Sequence, residues 1–332
     1  MAATIGLVYD LRSEYLARGH SAEEVVEFDS DETIDAIEGA VRSLGYRTER
    51  IGNGRALCAA LVEGRRWDLV FNVAEGLEGR CRESQVPALL ELYGVPYTFS
   101  DPLVSAATLD KSVAKRLVAA AGLATPRFAV VRGPADVAGI SLDYPMFAKP
   151  LAEGTGKGID GRSRIDTAAR LEEVCLELLA RFDQPVLVEE YLPGREFTTG
   201  VLGTAGEARV LGTMEVEVLD ERTGAIYSSE VKERCEELVR YSPLAEPELR
   251  RDVEDLALRA YVALECRDAG RVDVRLDASG QPTFMELNPL PGLHSTHSDL
   301  PMIATQEGMT YEELIGAIVA SALTRAEAPD GS

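Results

Sequence analysis

Short apolar runs alternate with helix-like spacing along the first third of the chain. Residues 5–9 and 69–73 are runs typical of buried strands. Between them, apolar residues recur with helical periodicity over residues 34–44, which predicts a helix that ends at Gly45. A further helix is predicted at residues 86–93. This alternation of strand and helix favours a parallel sheet that is covered on both faces.

The pattern changes from residue 100 onward. Asp101 and Pro102 are typical of a helix start, and the helical pattern continues through Val118. Further elements are predicted in this order: strands at 128–131 and 146–148, a helix at 171–182, a strand at 186–191, a helix at 248–266, strands at 271–277 and 283–288, and a final amphipathic helix. These patterns predict an α/β protein with a later α+β part, divided into segments 1–99, 100–190 and 191–326 and a tail at 327–332.

The charge balance is strongly acidic. The chain has 332 residues, with 34 Lys and Arg against 56 Asp and Glu, and a formal net charge of −22. Such a charge repels nucleic acids and anionic membranes, so we expect neither as a partner. No apolar run approaches the ~20 residues that span a bilayer, and the first residues lack a secretory signal pattern. Scattered cysteines without C-x-x-C pairs are typical of reduced thiols, and we expect a cytoplasmic protein.

Several common site motifs are missing from the sequence. There is no G-x-x-x-x-G-K-[ST] loop, and Gly52 and Gly54 begin a dinucleotide-binding pattern that fails at Leu57. The chain has three histidines, so a histidine-based triad or metal site has few candidate members. His294 and His297 follow a Pro-Gly pair in a predicted loop, and we interpret them as structural or substrate-contacting residues.

The segments RVDVRLD (271–277) and PTFMELN (282–288) predict a β-hairpin joined by a four-residue turn. The predicted register pairs Asp277 with Pro282, Asp273 with Glu286, and Arg271 with Asn288. Alternation along the strands then places two sets of side chains on opposite faces: Arg271, Asp273, Glu286 and Asn288 on one, and Val272, Val274 and Leu287 on the other.

The polar face of this hairpin has two interpretations. Like charges across a strand pair are destabilising, so a carboxylate pair beside an amide oxygen indicates a hard, all-oxygen site for Mg²⁺. The alternative is a solvated face on which Arg271 balances the acids. From these residues alone, both interpretations are equally well supported.

A lysine and a glycine-rich loop follow one another in the central segment. Lys149 ends the apolar stretch 146–150, and Gly154, Gly156 and Gly158 come directly after it. Glycines let backbone N–H groups converge on phosphate oxygens, and a lysine supplies a point charge. On its own, a glycine-rich loop of this kind favours the interpretation as an ordinary flexible hairpin.

Six blocks of sequence together carry a resemblance to a known family. They are LLELYGVPYTFSDP, LDK at 109–111, AKPLAEGTGKGI, VEEYLPGREFTTGVLG, GRVDVRLD and FMELNPLPGL. Their order and spacing resemble the D-alanine–D-alanine ligase family of the ATP-grasp superfamily, from about Leu69 to the final helix. The resemblance implies an ATP-grasp fold in the two later segments, with an N-terminal parallel α/β domain on the substrate side.

The resemblance implies roles for individual residues. The implied nucleotide-binding residues are the phosphate lysines Lys111 and Lys149, the flap residues Glu153, Gly154, Thr155 and Gly156, the adenine-binding stretch Glu189, Glu190, Tyr191 and Leu192, and the ribose-binding Glu196. The implied ligands of Mg²⁺, expected as two ions with Mn²⁺ as a substitute, are Asp273, Glu286 and Asn288. The implied catalytic residues are Arg271, Lys232 in a mobile loop, Gly292, and Ser298 in the second-substrate loop.

The implied reaction joins a carboxylate to an amine. ATP phosphorylates the carboxylate to an acyl phosphate, the amine attacks it, and ADP and phosphate leave. Amino acids or small carboxylate and amine compounds are the expected partners, and a homodimer is expected by analogy with the family. Two alternatives stay open, a small-molecule kinase on the same fold and a nucleotide-binding protein without turnover. Arg271 mildly disfavours the kinase, because an arginine at this position would stabilise a tetrahedral intermediate, which a kinase reaction does not form.

Some segments depart from the family and concern the choice of substrate. The family's N-terminal substrate loop is replaced by an acidic stretch over 23–38, in which Glu27 is the candidate that binds a substrate amine. Most of these acids are interpreted as a solvated helix face. The second-substrate loop at 292–301 is one residue longer than in the family, segment 72–80 replaces a histidine-containing loop, and Glu233 replaces an aromatic residue.

Overall fold

The computed structural model describes residues 2–219 and 235–327, with the side chains of residues 235 and 236 outside the description. A parallel three-stranded sheet lies at the N-terminus, in the order β2 (Arg47–Gly52), β1 (Thr4–Tyr9) and β3 (Leu69–Val73). The predicted parallel sheet is therefore confirmed. The sequence pattern did not reveal β2, because this edge strand is mostly polar and has no fully buried position.

Helices cover both faces of this first sheet. The helices of this segment are α1 (Arg12–Ala17), α2 (Asp31–Ser43), α3 (Gly54–Val62) and α4 (Gln85–Leu92), of which α2 packs on one face and α3 and α4 on the other. The side chain of Ser30 caps α2 by accepting a hydrogen bond from the backbone N–H of Thr33. The apolar face of α2, which includes Ile34 and Ile37, is buried in the same core as residues of the last helix. The last helix of the chain therefore completes the core of the N-terminal domain.

A second sheet occupies the central segment. Its strands, in spatial order, are β4 (Phe128–Val131), β7 (Val186–Glu190), β5 (Met146–Pro150) and β6 (Arg164–Ile165). The helices of this segment are α5 (Pro102–Leu109), α6 (Lys111–Ala120), α7 (Pro134–Val137) and α8 (Ala168–Phe182). The prediction of one continuous helix from Pro102 is wrong. Asp110 leaves the helical conformation and caps α6, since its carboxylate accepts hydrogen bonds from the N–H groups of Ser112 and Val113.

The third sheet is antiparallel and five-stranded. Its order is β10 (Val239–Pro243), β9 (Arg209–Val218), β8 (Glu196–Leu202), β11 (Ala269–Leu276) and β12 (Pro282–Asn288). The helices of this part are α9 (Cys235–Leu238), α10 (Pro247–Ala263), α11 (Asp299–Gln306) and α12 (Tyr311–Glu327). Apolar residues of α10 pack on one face of the sheet, in a core that includes Val272 and Phe284. On the opposite face, Leu202, Leu211 and Met214 pack with Leu300 and Ile303 of α11.

The three sheets fall within the three segments predicted from the sequence, and the predicted boundaries themselves stay a prediction. The tail after Glu327 and the implied mobile-loop residues Lys232 and Glu233 lie outside the described residues. Within residues 2–219 and 235–327, none of the helices combines the length and apolar character that a bilayer span requires.

Candidate active site

The β11–β12 ribbon carries the polar face that the sequence predicts. Arg271 pairs with Asn288, and Asp273 pairs with Glu286, so both pairings are confirmed. The predicted pairing of Asp277 with Pro282 is wrong. The register shifts by one residue beyond Asp273, so Leu276 lies opposite Pro282 and the turn is one residue longer. The carboxylate of Asp277 holds this turn through the N–H groups of Ser279 and Gln281.

Arg271 is fixed by carboxylates on two sides. Its Nε and Nη2 donate to the two carboxylate oxygens of Asp273, at 3.0 and 2.9 Å, and its Nη1 donates to Asp299 at 2.8 Å. Burial alone would lower the pKa of Arg271, but both carboxylates outweigh it and raise the pKa. Arg271 therefore stays a cation with a defined orientation. Thr198 adds a hydrogen bond to Asp273 at 2.8 Å, from the neighbouring strand β8.

The ammonium groups of Lys149 and Lys111 lie beside Glu286. The Nζ of Lys149 is 3.5 Å from Oε2 of Glu286, and the Nζ of Lys111 is 3.7 Å from the same oxygen. Lys149 also lies 3.2 Å from Oε1 of Glu189. The second sheet and α6 thus bring two cations to the edge of the acidic ribbon. This arrangement suits a polyanion that enters with its own divalent cation.

A third lysine, Lys115, belongs to the same group, and sequence reasoning missed it. Its Nζ lies 2.9 Å from Oε2 of Glu189, and its side chain is 0% exposed. Lys115 follows Lys111 by one helical turn, so both point from the same face of α6. That spacing was the available signal, since a lysine on the buried face of a helix needs a charged partner.

The glycine-rich loop after β5 is held from several directions. The Nζ of Lys111 donates to the carbonyl of Glu153 at 2.6 Å, and the Glu153 side chain pairs with Lys157 at 2.8 Å. The N–H of Gly154 donates to the carboxylate of Glu27. Gly158 has a φ of +75°, and a Cβ there would lie 2.5 Å from Pro150, so its place demands glycine. Loop, α6 and N-terminal domain therefore meet at one point.

The residues that follow β7 separate into inward and outward positions. Glu189 is buried toward the lysines, whereas Glu190 is bound from the outside by Arg127 at 2.5 Å. Tyr191 lies under the guanidinium of Arg275, whose Cζ is 5.6 Å from the ring centre, and Leu192 follows it directly. Arg275 also pairs with Glu196 at 3.2 Å. The strand end and the candidate ribose ligand are thus linked by one arginine.

Glu27, the candidate amine-binding residue, is engaged by protein groups in this structure. One oxygen accepts from Gly154, and the other accepts from Arg82 at 3.0 Å. Arg82 in turn donates to the carbonyl of Ala152 at 2.8 Å. Glu27 and Arg82 therefore join the N-terminal domain to the glycine-rich loop. The amine-binding role of Glu27 stays a prediction.

More acids surround this junction than the sequence analysis singled out. Burial raises the pKa of Glu83 to about 7, and it raises that of Glu75 well above its ordinary value. Burial and the neighbouring Asp10 raise the pKa of Asp29 to about 7 as well. The acids come from distant segments, so only folding reveals that they share one environment.

The loop before α11 brings the remaining candidates together. Gly292 lies against Ser298, because a Cβ on the glycine would be 2.8 Å from the serine Oγ. Ser298 accepts a hydrogen bond from the N–H of His294 at 2.9 Å. The rings of His294 and His297 are 4.7 Å apart, and His294 lies 3.7 Å from Glu32 of α2. The two histidines thus lie where the loop faces the N-terminal domain.

The oxygen donors of Asp273, Glu286 and Asn288 suit Mg²⁺. The Nδ2 of Asn288 is 3.5 Å from Oδ2 of Asp273, so the amide group lies beside this carboxylate. Among residues 2–219 and 235–327, no cluster of three or more His, Cys, Asp or Glu side chains has the geometry of a metal site. A set of two carboxylates and one amide is typical of Mg²⁺ that takes its other ligands from phosphates and water.

Comparison with known proteins identifies the family. The family model for the C-terminus of D-Ala–D-Ala ligases matches residues 117–320, more than half of the chain. A D-alanine–D-alanine ligase of Bordetella petrii is 34% identical over 314 residues, which cover 94% of this chain and 92% of that one. The chain belongs to the D-alanine–D-alanine ligase family. The predictions of an ATP-grasp fold and of an ATP-dependent ligase that forms a carbon–nitrogen bond are confirmed.

A further relative is similar to this chain in sequence, and two solved structures share its fold. The uncharacterised protein y4sG of Sinorhizobium fredii is 33% identical to this ligase over 86% of this chain and 85% of its own. The ATP complex of the Bacillus anthracis D-alanine–D-alanine ligase superposes with a TM-score of 0.74 at 22% identity, over 98% of this chain and 99% of that one. The VanG D-Ala:D-Ser ligase of Enterococcus faecalis superposes with a TM-score of 0.75 at 21% sequence identity, over 97% of this chain and 100% of that one.

Proposed function

We propose that this ligase joins the carboxylate of one amino acid or small acid to the amine of a second, through an acyl phosphate. One observation carries the proposal. Arg271, Asp273 and Glu286 lie on the same face of one ribbon, and Lys149 reaches Glu286 at 3.5 Å. The cation that can neutralise charge during phosphoryl transfer therefore lies near the arginine that can donate hydrogen bonds when the amine adds to the acyl phosphate.

We propose that the nucleotide binds between the second and third sheets, where Lys149 and Lys111 approach Glu286. Lys111 and Lys149 are the proposed phosphate ligands, since both ammonium groups lie beside Glu286. The flap residues Glu153, Gly154, Thr155 and Gly156 are proposed to cover the phosphates. The backbone of Glu189, Glu190, Tyr191 and Leu192 is proposed to contact adenine, and the side chain of Glu196, beside Arg275, is proposed to bind the ribose.

Asp273, Glu286 and Asn288 are the proposed ligands of Mg²⁺, expected as two ions. When bound there, the metal supplies positive charge to the phosphate oxygens and to the departing ADP. Asp273 is held by Arg271 and Thr198, so its carboxylate is oriented before any ligand arrives. Glu286 is similarly placed between two lysines.

The chain's own residues support both chemical steps. A carboxylate is a poor electrophile, and transfer of the γ-phosphoryl group to its oxygen creates a good leaving group. Lys149 and Lys111 offset the charge on the transferring oxygens. The amine then forms a bond to the acyl carbon, the bond to the phosphate oxygen breaks, and the amine proton leaves with the phosphate. Arg271 is oriented to donate to the oxyanion of the tetrahedral intermediate.

Water must be kept from the acyl phosphate while the amine binds. The glycine-rich loop is tied to the N-terminal domain through Gly154 and Glu27, so closure can link both substrate sites. Lys232, which lies outside the described residues, is proposed to act near the γ-phosphate, as the family resemblance implies. Gly292 and Ser298 are proposed to shape the second-substrate loop, with His294 and His297 facing the substrate.

D-alanine, named in the relatives, is the reference substrate for both positions. The loops at 72–80 and 292–301 differ from the family pattern, which supports a different dipeptide or amide at least equally. The test is phosphate release from ATP across pairs of carboxylates and amines, with the products weighed by mass spectrometry. Release that needs both partners supports ligation. A stable phosphorylated product from one partner would indicate a kinase instead.

We propose that the enzyme works in the cytoplasm as a homodimer, by analogy with its family. The cysteines Cys58, Cys81, Cys175 and Cys266 are free thiols, which supports a reducing compartment. Light scattering of the purified enzyme measures the oligomeric state directly, and a monomer mass would contradict the dimer.

A further inference from the structure

A buried chain of charges connects the end of β7 to the metal-binding ribbon. In order, it comprises Lys115, Glu189, Lys149, Glu286 and Lys111. Glu189 has one carboxylate oxygen 2.9 Å from Lys115 and the other 3.2 Å from Lys149. Each carboxylate in the chain therefore separates two ammonium groups.

Lys115 differs from the other two lysines in its surroundings. Its side chain is 0% exposed, and its Nζ lies 3.4 Å from Oγ1 of Thr125 and 5.9 Å from the ring centre of Phe284. Lys111 reaches the glycine-rich loop, and Lys149 reaches Glu286 at the ribbon. Lys115 has no exposed surface, and its ionic partner is Glu189, which in turn contacts Lys149.

A single carboxylate between two buried ammonium groups divides its attraction between them. With Lys115 in place, Lys115 offsets part of the charge of Glu189, and part of the charge of Lys149 stays available to a bound anion. Without Lys115, a buried carboxylate would turn wholly to Lys149, because an unpaired buried charge is strongly unfavourable. Lys149 would then be drawn toward Glu189 and away from Glu286.

We propose that Lys115 is a positioning residue for ATP: it neutralises Glu189 from behind and thereby holds Lys149, with its charge available, at the phosphate end of the nucleotide. This inference rests on the proposed phosphate-binding role of Lys149. Lys115 itself is not among the residues proposed to contact the nucleotide. Lys115 and Lys149 lower the pKa of Glu189 in spite of its burial, which favours the carboxylate anion that the inference requires, whereas burial lowers the pKa of Lys115.

The test is the affinity of Lys115→Met for MgATP and for adenosine, each measured by equilibrium titration. Loss of a charge-assisted contact predicts MgATP binding weaker by about tenfold or more. Adenosine lacks phosphates, so its affinity is expected to stay within about twofold. The matched control is Arg116→Met, which removes a cation from the exposed side of the same helix and leaves both affinities unchanged.

If Lys115→Met weakens the binding of ATP and of adenosine equally, the inference is overturned, because Lys115 would then act on the adenine site or on the fold as a whole. Unchanged ATP affinity would overturn it too. Lys149→Met separates this inference from the proposed function. If that variant binds ATP as well as the wild type, the phosphate role of Lys149 is wrong whatever Lys115 does.

A second comparison applies if Lys115→Met fails to fold. The double variant Lys115→Met/Glu189→Gln removes both charges and leaves no unpaired carboxylate. If Lys115 acts through Glu189, the double variant binds MgATP within about twofold of Glu189→Gln alone. A further loss of about tenfold on that background would show that Lys115 acts independently of Glu189 and would contradict the inference.

Discussion

The carboxylate of Glu27, in the N-terminal domain, accepts a hydrogen bond from the backbone N–H of Gly154, in the glycine-rich loop of the central segment. Arg82 completes the contact, since it donates both to Glu27 and to the carbonyl of Ala152. The loop proposed to cover ATP is thus tied to the domain proposed to hold the first substrate.

The Glu27→Gln variant tests this contact. We expect the loop to close less firmly, so that water reaches the acyl phosphate and more than one phosphate is released per product formed. The measurement compares phosphate with product under saturating substrates. Glu23→Gln, which removes a surface ion pair with Arg181, is the control and should keep the ratio at one. A higher KM for the first substrate with a ratio of one would instead support amine binding by Glu27.

Metal binding by the ribbon predicts the behaviour of two conservative variants. Asp273→Asn and Glu286→Gln should lower kcat by at least about a hundredfold, because the loss of metal charge at the phosphates is worth several kcal/mol. Circular dichroism and thermal unfolding check that both variants fold. Glu217→Gln changes an exposed acid of the same sheet and should keep its activity. Near-normal turnover in either ribbon variant would remove the metal assignment.

Asp299 predicts an effect on catalysis that leaves ATP binding intact. It holds Nη1 of Arg271 at 2.8 Å, so Asp299→Asn should leave the guanidinium less well oriented for the oxyanion. We expect kcat to fall about tenfold, the size of one weakened ionic hydrogen bond, with KM for ATP unchanged. Steady-state kinetics separates the two constants, and Asp252→Asn on the surface of α10 is the control. A rise in KM for ATP at constant kcat would contradict this role.

Asp29 predicts how stability depends on pH. Burial and Asp10 raise its folded-state pKa to about 7, above the ordinary value near 4, so the folded state binds a proton that the unfolded state has lost in this range. The contribution of Asp29 to stability therefore declines as pH rises from about 4 to about 7. Asp29→Asn should raise the urea midpoint at pH 8 more than at pH 5. The exposed-site control Asp255→Asn should show no such difference, and an equal shift at both pH values would refute the prediction.

Period-two and period-3.6 patterns were enough to predict most elements and the polar face of the ribbon. Arg271, Asp273 and Glu286 share that face because strand alternation is a local property. The alternating pattern did not predict the register shift beyond Asp273, which accompanies a five-residue turn whose Gln281 N–H donates to Asp277. The break at Asp110 was missed because helical periodicity continues on both sides of it.

Ion partners were harder to predict than elements. Lys115 with Glu189, Arg82 with Glu27, and Arg271 with Asp299 each join segments that are far apart in sequence. Composition and spacing indicate that a charged residue needs a partner, but tertiary packing decides which one. The candidate site was therefore predictable in its chemistry and less so in the residues that support it.

The central claim is that the carboxylate substrate is activated as an acyl phosphate. Once a substrate pair is known from phosphate release, the carboxylate is labelled with ¹⁸O and the inorganic phosphate is analysed by mass spectrometry. Activation by phosphoryl transfer predicts that one labelled oxygen moves from the carboxylate into the phosphate for each bond formed. Unlabelled phosphate, formed at the rate of product, would contradict the account.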